Sequence, residues 1–487
     1  MPFHGWWPGV FHDILAGEIN MDTRSKHASR MAAVENALQP AAYVKGSPIA
    51  AMNILDRMKH YGVPGVSVAV IDGGKIDWAR GYGVKETGGD DPVTPETLFQ
   101  VASISKPVTA LGALRLVEQG LLDLDAPVND RLASWKVPEN EFSEKEKVTL
   151  RRLLTHSAGL TVSGFPGYSI TEPIPTPVQV LDGETPANTP AVRIDMIPGS
   201  QWRYSGGGFT VAQLLMADVS GRTFQDYIQE TVLTPLGMSH STFSQPLPRD
   251  QKRQAALAHQ ADGQVVQGGW HVYPELAAAG LWSTPSDLCR FVIELQESVA
   301  GRSNQVISQA MARAMLTPGV GDWGLGIGLG ASMEDEKRSF SHGGGNAGYI
   351  CILFGFMNKG RGAVVTTNSD NGNEIVMEIL RALSTVYGWS ILPPREVAPV
   401  EIAPEKLAAC TGDYRSSDEP DTPVEVYIEK DQLHVKSPGA RDWALAPLSE
   451  TEFIYLDGGV EVTFTRGADG RCDQMNRWGS VLTRKNE

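Results

Sequence analysis

The chain changes character once, and that change limits every fold it can adopt. Up to Trp389 it mixes helix-period and strand-period runs; beyond "SILPPREVAPVEIAPEK", Ser390–Lys406, only short alternating strands follow. Prolines spaced through that stretch make it an extended, stiff connector. A chain of 487 residues is too long for one hydrophobic core. The expected layout is an N-terminal extension over 1–40, a main domain over 41–392, a linker over 393–403 and a small all-β domain over 404–487.

Within the main domain, "PIAAMNILDRMKHY" (Pro48–Tyr61) predicts an amphipathic helix, and "VSVAVIDGGKIDWARGYGVK" (Val66–Lys85) predicts two strands about a Gly-Gly turn. Helical runs continue through "TVAQLLMADVSG", "PSDLCRFVIELQES" and "EIVMEILRALSTVYGW", while "WGLGIGLG", "YICILFGFMN" and "GAVVTTNS" read as strands. Strands at both ends with helices between predict an α+β domain, its one antiparallel sheet assembled from distant segments. The segments "VEVYIEKDQLHVKS", "EFIYLDGG" and "VEVTFTRGADG" predict a small sandwich or barrel without helix. From Ser157 to Ser200 the chain is irregular and carries seven prolines, which fits a functional cover and a plain surface excursion equally.

A formal net charge of -15 excludes a nucleic-acid surface, which needs clustered cations. No apolar run reaches the length of a membrane span. The four cysteines, Cys289, Cys351, Cys410 and Cys472, are scattered without a C-x-x-C pair, a spacing that favours a reducing compartment. The start, "MPFHGWWPGVFHDILAGEIN", has neither an early basic residue nor a long apolar run, so no signal peptide and a cytoplasmic location are expected. Trp6 and Trp7 read as an aromatic arm packed on the domain rather than a membrane anchor. No metal-ligand spacing and no nucleotide loop occur, and no cofactor or metal is expected.

The chemistry concentrates in "LFQVASISKPVTALGALRLVEQG" (Leu98–Gly120), where Ser103 stands three residues before Lys106 and Pro107 follows at once. Proline is tolerated in a first helical turn, so the helix must begin near Ser103, and residues three apart share a face. The pair reads either as nucleophile and base or as a serine cap with a solvated lysine. A lysine base must be uncharged near neutral pH, which takes roughly 4 kcal/mol, more than a helix dipole supplies. Lys106 should therefore be buried, and the neighbouring "FQVASIS" and "PVTALGAL" contain no acid to hold its charge. "PGSQWRYSGGGFT" adds Tyr204, a candidate proton relay ahead of a glycine run that includes Gly206. "FSHGGGNAGYICILFGF" adds His342 and then Gly343, Gly344 and Gly345, bare backbone able to approach a reacting carbonyl. The match of that run to G-x-G-x-x-G fails, because a strand follows where a dinucleotide site needs a helix. A Ser-His-Asp triad through His156 or His342 has no local signature; His156, in "LLTHSAGL", reads as a structural histidine beside the site.

Taken in order, "FQVASISKPVTA", "RRLLTHSAGL", "PGSQWRYSGGGF", "VLTPLGMSHSTF", "AAAGLWSTPSDLCRF" and "SHGGGNAGY" resemble the serine β-lactamase/penicillin-binding-protein superfamily, in its class C-like esterase and D-aminopeptidase branch. The resemblance covers about Pro48–Trp389 and implies an antiparallel sheet flanked by helices with an all-helical subdomain. It implies Ser103 as the acylated nucleophile, Lys106 and Tyr204 as proton carriers, and His342 where many members carry lysine. It also implies an oxyanion hole from the backbone N–H groups of Ser103 and Gly345, with Gly206 and Gly344 beside the substrate. Many members have an asparagine where this chain has Gly206, and neutral His342 offers no fixed charge to a carboxylate. Both departures point away from β-lactams and toward esters, small amides or D-amino-acid derivatives. A β-lactamase or DD-peptidase, an acyltransferase and a non-catalytic binder are the alternatives. The C-terminal segment resembles the lipocalin-like domain of some relatives.

Overall fold

The computed structural model describes residues 25–330, 337–416, 422–437 and 441–485. The Trp6–Trp7 pair lies outside the described residues. The chain forms an α+β domain and a C-terminal β-barrel.

The main domain is built on six antiparallel strands: β1 (Gly65–Asp72), β2 (Lys75–Gly83), β3 (Gly328–Leu329), β4 (Ser339–Asn346), β5 (Tyr349–Phe356) and β6 (Gly362–Thr367). Their order is β2-β1-β6-β5-β4-β3, so a strand from late in the chain pairs with the first hairpin. Five helices are used below: α1 (Ile54–Tyr61), α2 (Ser105–Glu118), α3 (Gly206–Ser220), α4 (Pro285–Val299) and α5 (Gly372–Tyr387).

Side chains alternate across a strand, and β1 shows how both faces are used. Val66, Val68 and Val70 join Ile375, Ile379 and Leu383 of α5 in one core. Ala69 and Ile71 join Leu288 and Val292 of α4 in the other, which continues into the helical region around α2 and α3. Apolar faces on both sides explain why the sheet is sandwiched between helices. A helix over 25–35 also closes on this structure, since Val34 and Leu38 are buried in the α5 core.

The expected helix at Pro48–Tyr61 is shorter than its apolar pattern, starting at Ile54 where the Asn53 side chain caps Leu55 N. "WGLGIGLG" is strand only at Gly328–Leu329. The rest is a glycine-rich loop, because Gly326 packs so close to α2 that an added Cβ would lie 2.6 Å from the Cβ of Ala110.

The C-terminal domain is a closed barrel of eight strands, β7–β14, running from Gly412–Arg415 to Ser480–Arg484. Each strand pairs with the next, and Tyr414 opposite Arg484 closes the ring. Inward residues, among them Tyr414, Val426, Leu433, Phe453, Val462 and Met475, fill the interior as a core. One short helix, Pro404–Ala408, precedes it in a region expected to hold none. Cys410 and Cys472, 62 residues apart, are joined by a disulfide, while Cys289 and Cys351 are free and buried. The expectation drawn from scattered cysteines overlooked this pair, because barrel closure, not sequence spacing, brings the two together. No helix among the described residues is long and apolar enough to cross a membrane.

The barrel docks through backbone and charge. Ala41 N and Ala42 N donate to the carbonyls of Asp457 and Leu456, both at 2.9 Å. Beside them Arg57 donates to Glu378 at 2.6 and 2.9 Å and to Asp457 at 2.9 Å, while Tyr61 donates to Glu378 at 2.7 Å. Glu378 is wholly buried, so its charge depends on Arg57. Replacing Arg57 by methionine should destabilise the protein by about 3–5 kcal/mol, the usual result of stranding a buried charge. Urea unfolding measures it; a loss below about 1 kcal/mol would show that Glu378 does not rely on Arg57.

Candidate active site

Ser103 lies in a single 3-10 turn, Ala102–Ile104, that runs directly into α2. Pro107 is the third residue of α2, inside its first turn, as the sequence requires. Ala102, just before the serine, has φ 48°, a conformation that alanine rarely adopts. His156 (φ 55°) and Val162 (φ 62°) share this left-handed geometry, and both touch the segment that carries Tyr204. Backbone strain gathers where side chains must be aimed.

Lys106 is 2% exposed. Its Nζ lies 2.9 Å from Ser103 Oγ and donates to the carbonyl of Ala278 at 2.7 Å. The Tyr204 and Phe209 rings lie 4.9 and 5.7 Å from Nζ. Burial alone brings the Lys106 ammonium down to about 7, because no carboxylate is close enough to stabilise its charge. The amine is thus available as a base near neutral pH.

Tyr204 reaches the site because Ser205 caps α3: its hydroxyl accepts from Gly208 N at 2.9 Å and donates to Thr161 O at 2.9 Å. His156 fixes the same turn, accepting from Ser205 N at its Nδ1 (3.1 Å) and taking Arg203 N on its carbonyl (2.8 Å). The imidazole lies 4.2 Å from the Tyr204 ring, centre to centre. Burial raises the Tyr204 phenol to about 12 against the opposing hydrogen bond from Ser103, so it is a proton donor at neutral pH. His156 is a buried neutral prop, held uncharged by burial and by Lys106.

His342 sits on β4, its ring 6.3 Å from that of Tyr204. Its Nδ1 lies 2.6 Å from the carbonyl of Gly343 and donates to it, which leaves a buried Nε2 without a partner. Burial first, and Lys106 second, push its pKa down to about 3, so it carries no charge at neutral pH. Strand β4 pairs with β5 throughout, but β3 covers its other edge only at Phe340 and Ser341. Among the described residues, the edge from His342 to Asn346 has no strand neighbour. Gly345 is exposed there. Gly344 faces inward, and a Cβ on it would lie 2.3 Å from Val101 O. That close approach seats the strand against the turn bearing Ser103.

Gly206 is crowded rather than vacant. A Cβ there would lie 2.9 Å from the Phe165 ring and 3.0 Å from Ser163 O. Phe165 belongs to the proline-rich stretch, and Thr161 and Val162 of the same stretch hold the turn that carries Tyr204.

The structure thus brings Ser103, Lys106, Tyr204 and His342 together, with Gly345 on the adjoining strand edge. Sequence reasoning missed Trp323, whose ring centre lies 6.0 Å from Tyr204 and 5.4 Å from His342, and Trp202, 5.6 Å from Trp323 and 42% exposed. It also missed the Ala278 carbonyl, since a main-chain acceptor leaves no mark in a sequence. The only hint of Trp323 was its place in a glycine-rich run.

The Beta-lactamase family profile matches residues 51–385. Penicillin-binding protein 4* of Bacillus subtilis (strain 168) is 26% identical over 440 residues, covering 83% of this chain and 90% of the relative. Among solved structures, the octameric penicillin-binding protein homologue from Pyrococcus abyssi superposes with a TM-score of 0.58 at 23% identity, over 88% of this chain and 98% of the other. SurE with D-Leu superposes with a TM-score of 0.54 at 21% identity, over 89% and 97%. The match of the profile to most of the chain, on a domain whose sheet brings Ser103 and Lys106 within hydrogen-bonding distance, identifies this chain as a member of the β-lactamase family.

Proposed function

We propose that the chain is a serine hydrolase that acts through an acyl-enzyme on esters, small amides or D-amino-acid derivatives. The observation that carries this is the buried Lys106 amine, which burial brings down to about 7, beside the Ser103 hydroxyl. Ser103 donates its proton to Lys106 as its oxygen adds to the substrate carbonyl. The N–H groups of Ser103 and Gly345 hold the oxyanion, and a preorganised donor of this kind is worth about 3–4 kcal/mol in other enzymes. Tyr204 passes a proton to the leaving group and is reprotonated by Lys106; in deacylation the attacking water gives its proton to Lys106, which returns it to Ser103 as the acyl group leaves. The resemblance places Gly206 and Gly344 beside the acyl group's path; the space beside each is filled by the protein itself, Phe165 at Gly206 and Val101 at Gly344.

D-amino-acid derivatives are supported by the fold shared with SurE, a structure that holds D-Leu. Likeness to penicillin-binding proteins favours β-lactams as a second reading. Against it, Gly206 stands where the resemblance expects an asparagine, and burial holds His342 uncharged at neutral pH. Nitrocefin turnover at a rate comparable with ester turnover would reverse this order.

The test is a rapid-mixing assay with p-nitrophenyl acetate, followed by intact-mass measurement. A burst and a mass increase of one acetyl group are expected in the parent and absent in Ser103→Ala; if neither depends on Ser103, the reading fails. Tyr204→Phe should lower kcat by roughly 10²–10⁴-fold, the span typical of a lost proton carrier. Because the reactive amine is the uncharged form, kcat/KM should fall as pH drops through about 7. A stability measurement checks the same property. Below pH 7 both folded and unfolded states carry a charged Lys106, so the folded state bears the full desolvation cost; above about 10.5 neither does. Relative to Lys106→Met, the parent should therefore gain stability between pH 6 and pH 9 in paired urea titrations.

A further inference from the structure

One mouth of the C-terminal barrel carries a cation without an acid. Trp443 begins its strand (Trp443–Pro447), whereas Tyr455 and Arg477 end theirs (Glu452–Tyr455 and Cys472–Arg477), which in an antiparallel ring puts all three at the same end. Trp443 stands opposite Val435, Tyr455 opposite Leu445 and Arg477 opposite Val462. Those three aliphatic residues belong to the barrel core, and directly opposed residues share a face of a sheet. Trp443, Tyr455 and Arg477 therefore turn inward, at the rim of a barrel whose interior is already filled.

The Arg477 guanidinium is held in this rim. It donates to Ser437 Oγ at 2.9 Å, and its central carbon lies 5.8 Å from the Trp443 ring centre and 5.3 Å from that of Trp478. Trp443 is stacked on Tyr455, with ring centres 5.1 Å and planes 3° apart, and meets Trp478 edge to face at 5.1 Å. Among the described residues no carboxylate bears on Arg477. Burial lowers its pKa, yet a guanidinium stays charged at neutral pH.

Trp478 gives an independent sign. Arg477 pairs with Ser480, so Trp478 and Gly479 form a two-residue hairpin loop, with φ 52° and 79°. Two left-handed residues in such a loop favour Asn-Gly, and a bulky residue in the first place is strained. The strained ring is also 65% exposed, so core packing does not account for it. A half-buried guanidinium lacks a planar anion to complete its hydrogen bonds, and its fork matches a carboxylate. The tryptophan beside it offers apolar surface to whatever carries that anion. We propose that this mouth binds a small organic carboxylate, with the acid group on Arg477 and the aryl or alkyl group against Trp478. The site lies wholly in the barrel and does not rest on the serine-hydrolase reading.

Isothermal titration of the Ser103→Ala protein, used to remove any turnover at Ser103, tests this with phenylacetate, indole-3-acetate and hexanoate, each against its primary amide. At least one carboxylate is expected to bind about tenfold or more tightly than its amide, as a charge-assisted hydrogen bond would give. Arg477→Gln in the same background should bring that ratio close to one. Trp478→Asn should weaken carboxylate binding while raising Tm, because asparagine suits the left-handed turn. Equal affinities for every acid and amide pair would overturn the proposal, as would a preference that survives Arg477→Gln or binding unchanged in Trp478→Asn. The paired ligands and the exposed Trp478→Asn variant decide the matter even if Arg477→Gln fails to fold.

Discussion

Taking one amine out of water organises this site. A lysine held near 7 rather than 10.5 loses roughly 5 kcal/mol of its preference for charge, and neighbouring dipoles could not do this alone. The surroundings follow from that need. The rings of Tyr204 and Phe209 close over Nζ, burial keeps both nearby histidines neutral, and among the described residues the oxygens hydrogen-bonded to Nζ are a hydroxyl and a main-chain carbonyl. A carboxylate beside Lys106 would restore its charge and remove the base.

Holding the amine dry also requires rigidity, and the site obtains it from the backbone. The left-handed residues at Ala102, His156 and Val162 each cost of order 1–3 kcal/mol, and the core recovers this through packing. Gly344 and Gly326 permit a strand and a loop to press against the turn and helix that bear Ser103 and Lys106. His156 braces the turn that presents Tyr204, as "LLTHSAGL" suggested.

Much of this was legible in the sequence because it depends on local rules. Proline after Ser-x-x-Lys fixes a helix start, short apolar runs mark β1 and β6, and a cluster of spaced prolines marks the change of domain. What was not legible depends on distant contacts. Trp323 enters the site on a loop whose glycines looked like strand, and Ala278 acts through a carbonyl that every residue possesses. The disulfide joins two cysteines that only barrel closure makes neighbours. Phe165 filling the place beside Gly206 needs coordinates, since the sequence shows only the missing side chain.

The strand order has a consequence for biosynthesis. β4, which bears His342 and Gly345, reaches the β1–β2 hairpin only through β5 and β6, and β6 ends at Thr367. A ribosome must therefore release three quarters of the polypeptide before the nascent chain can close its sheet. Until then Gly344 cannot seat its strand against the turn that bears Ser103, and the edge from His342 to Asn346 is not in place.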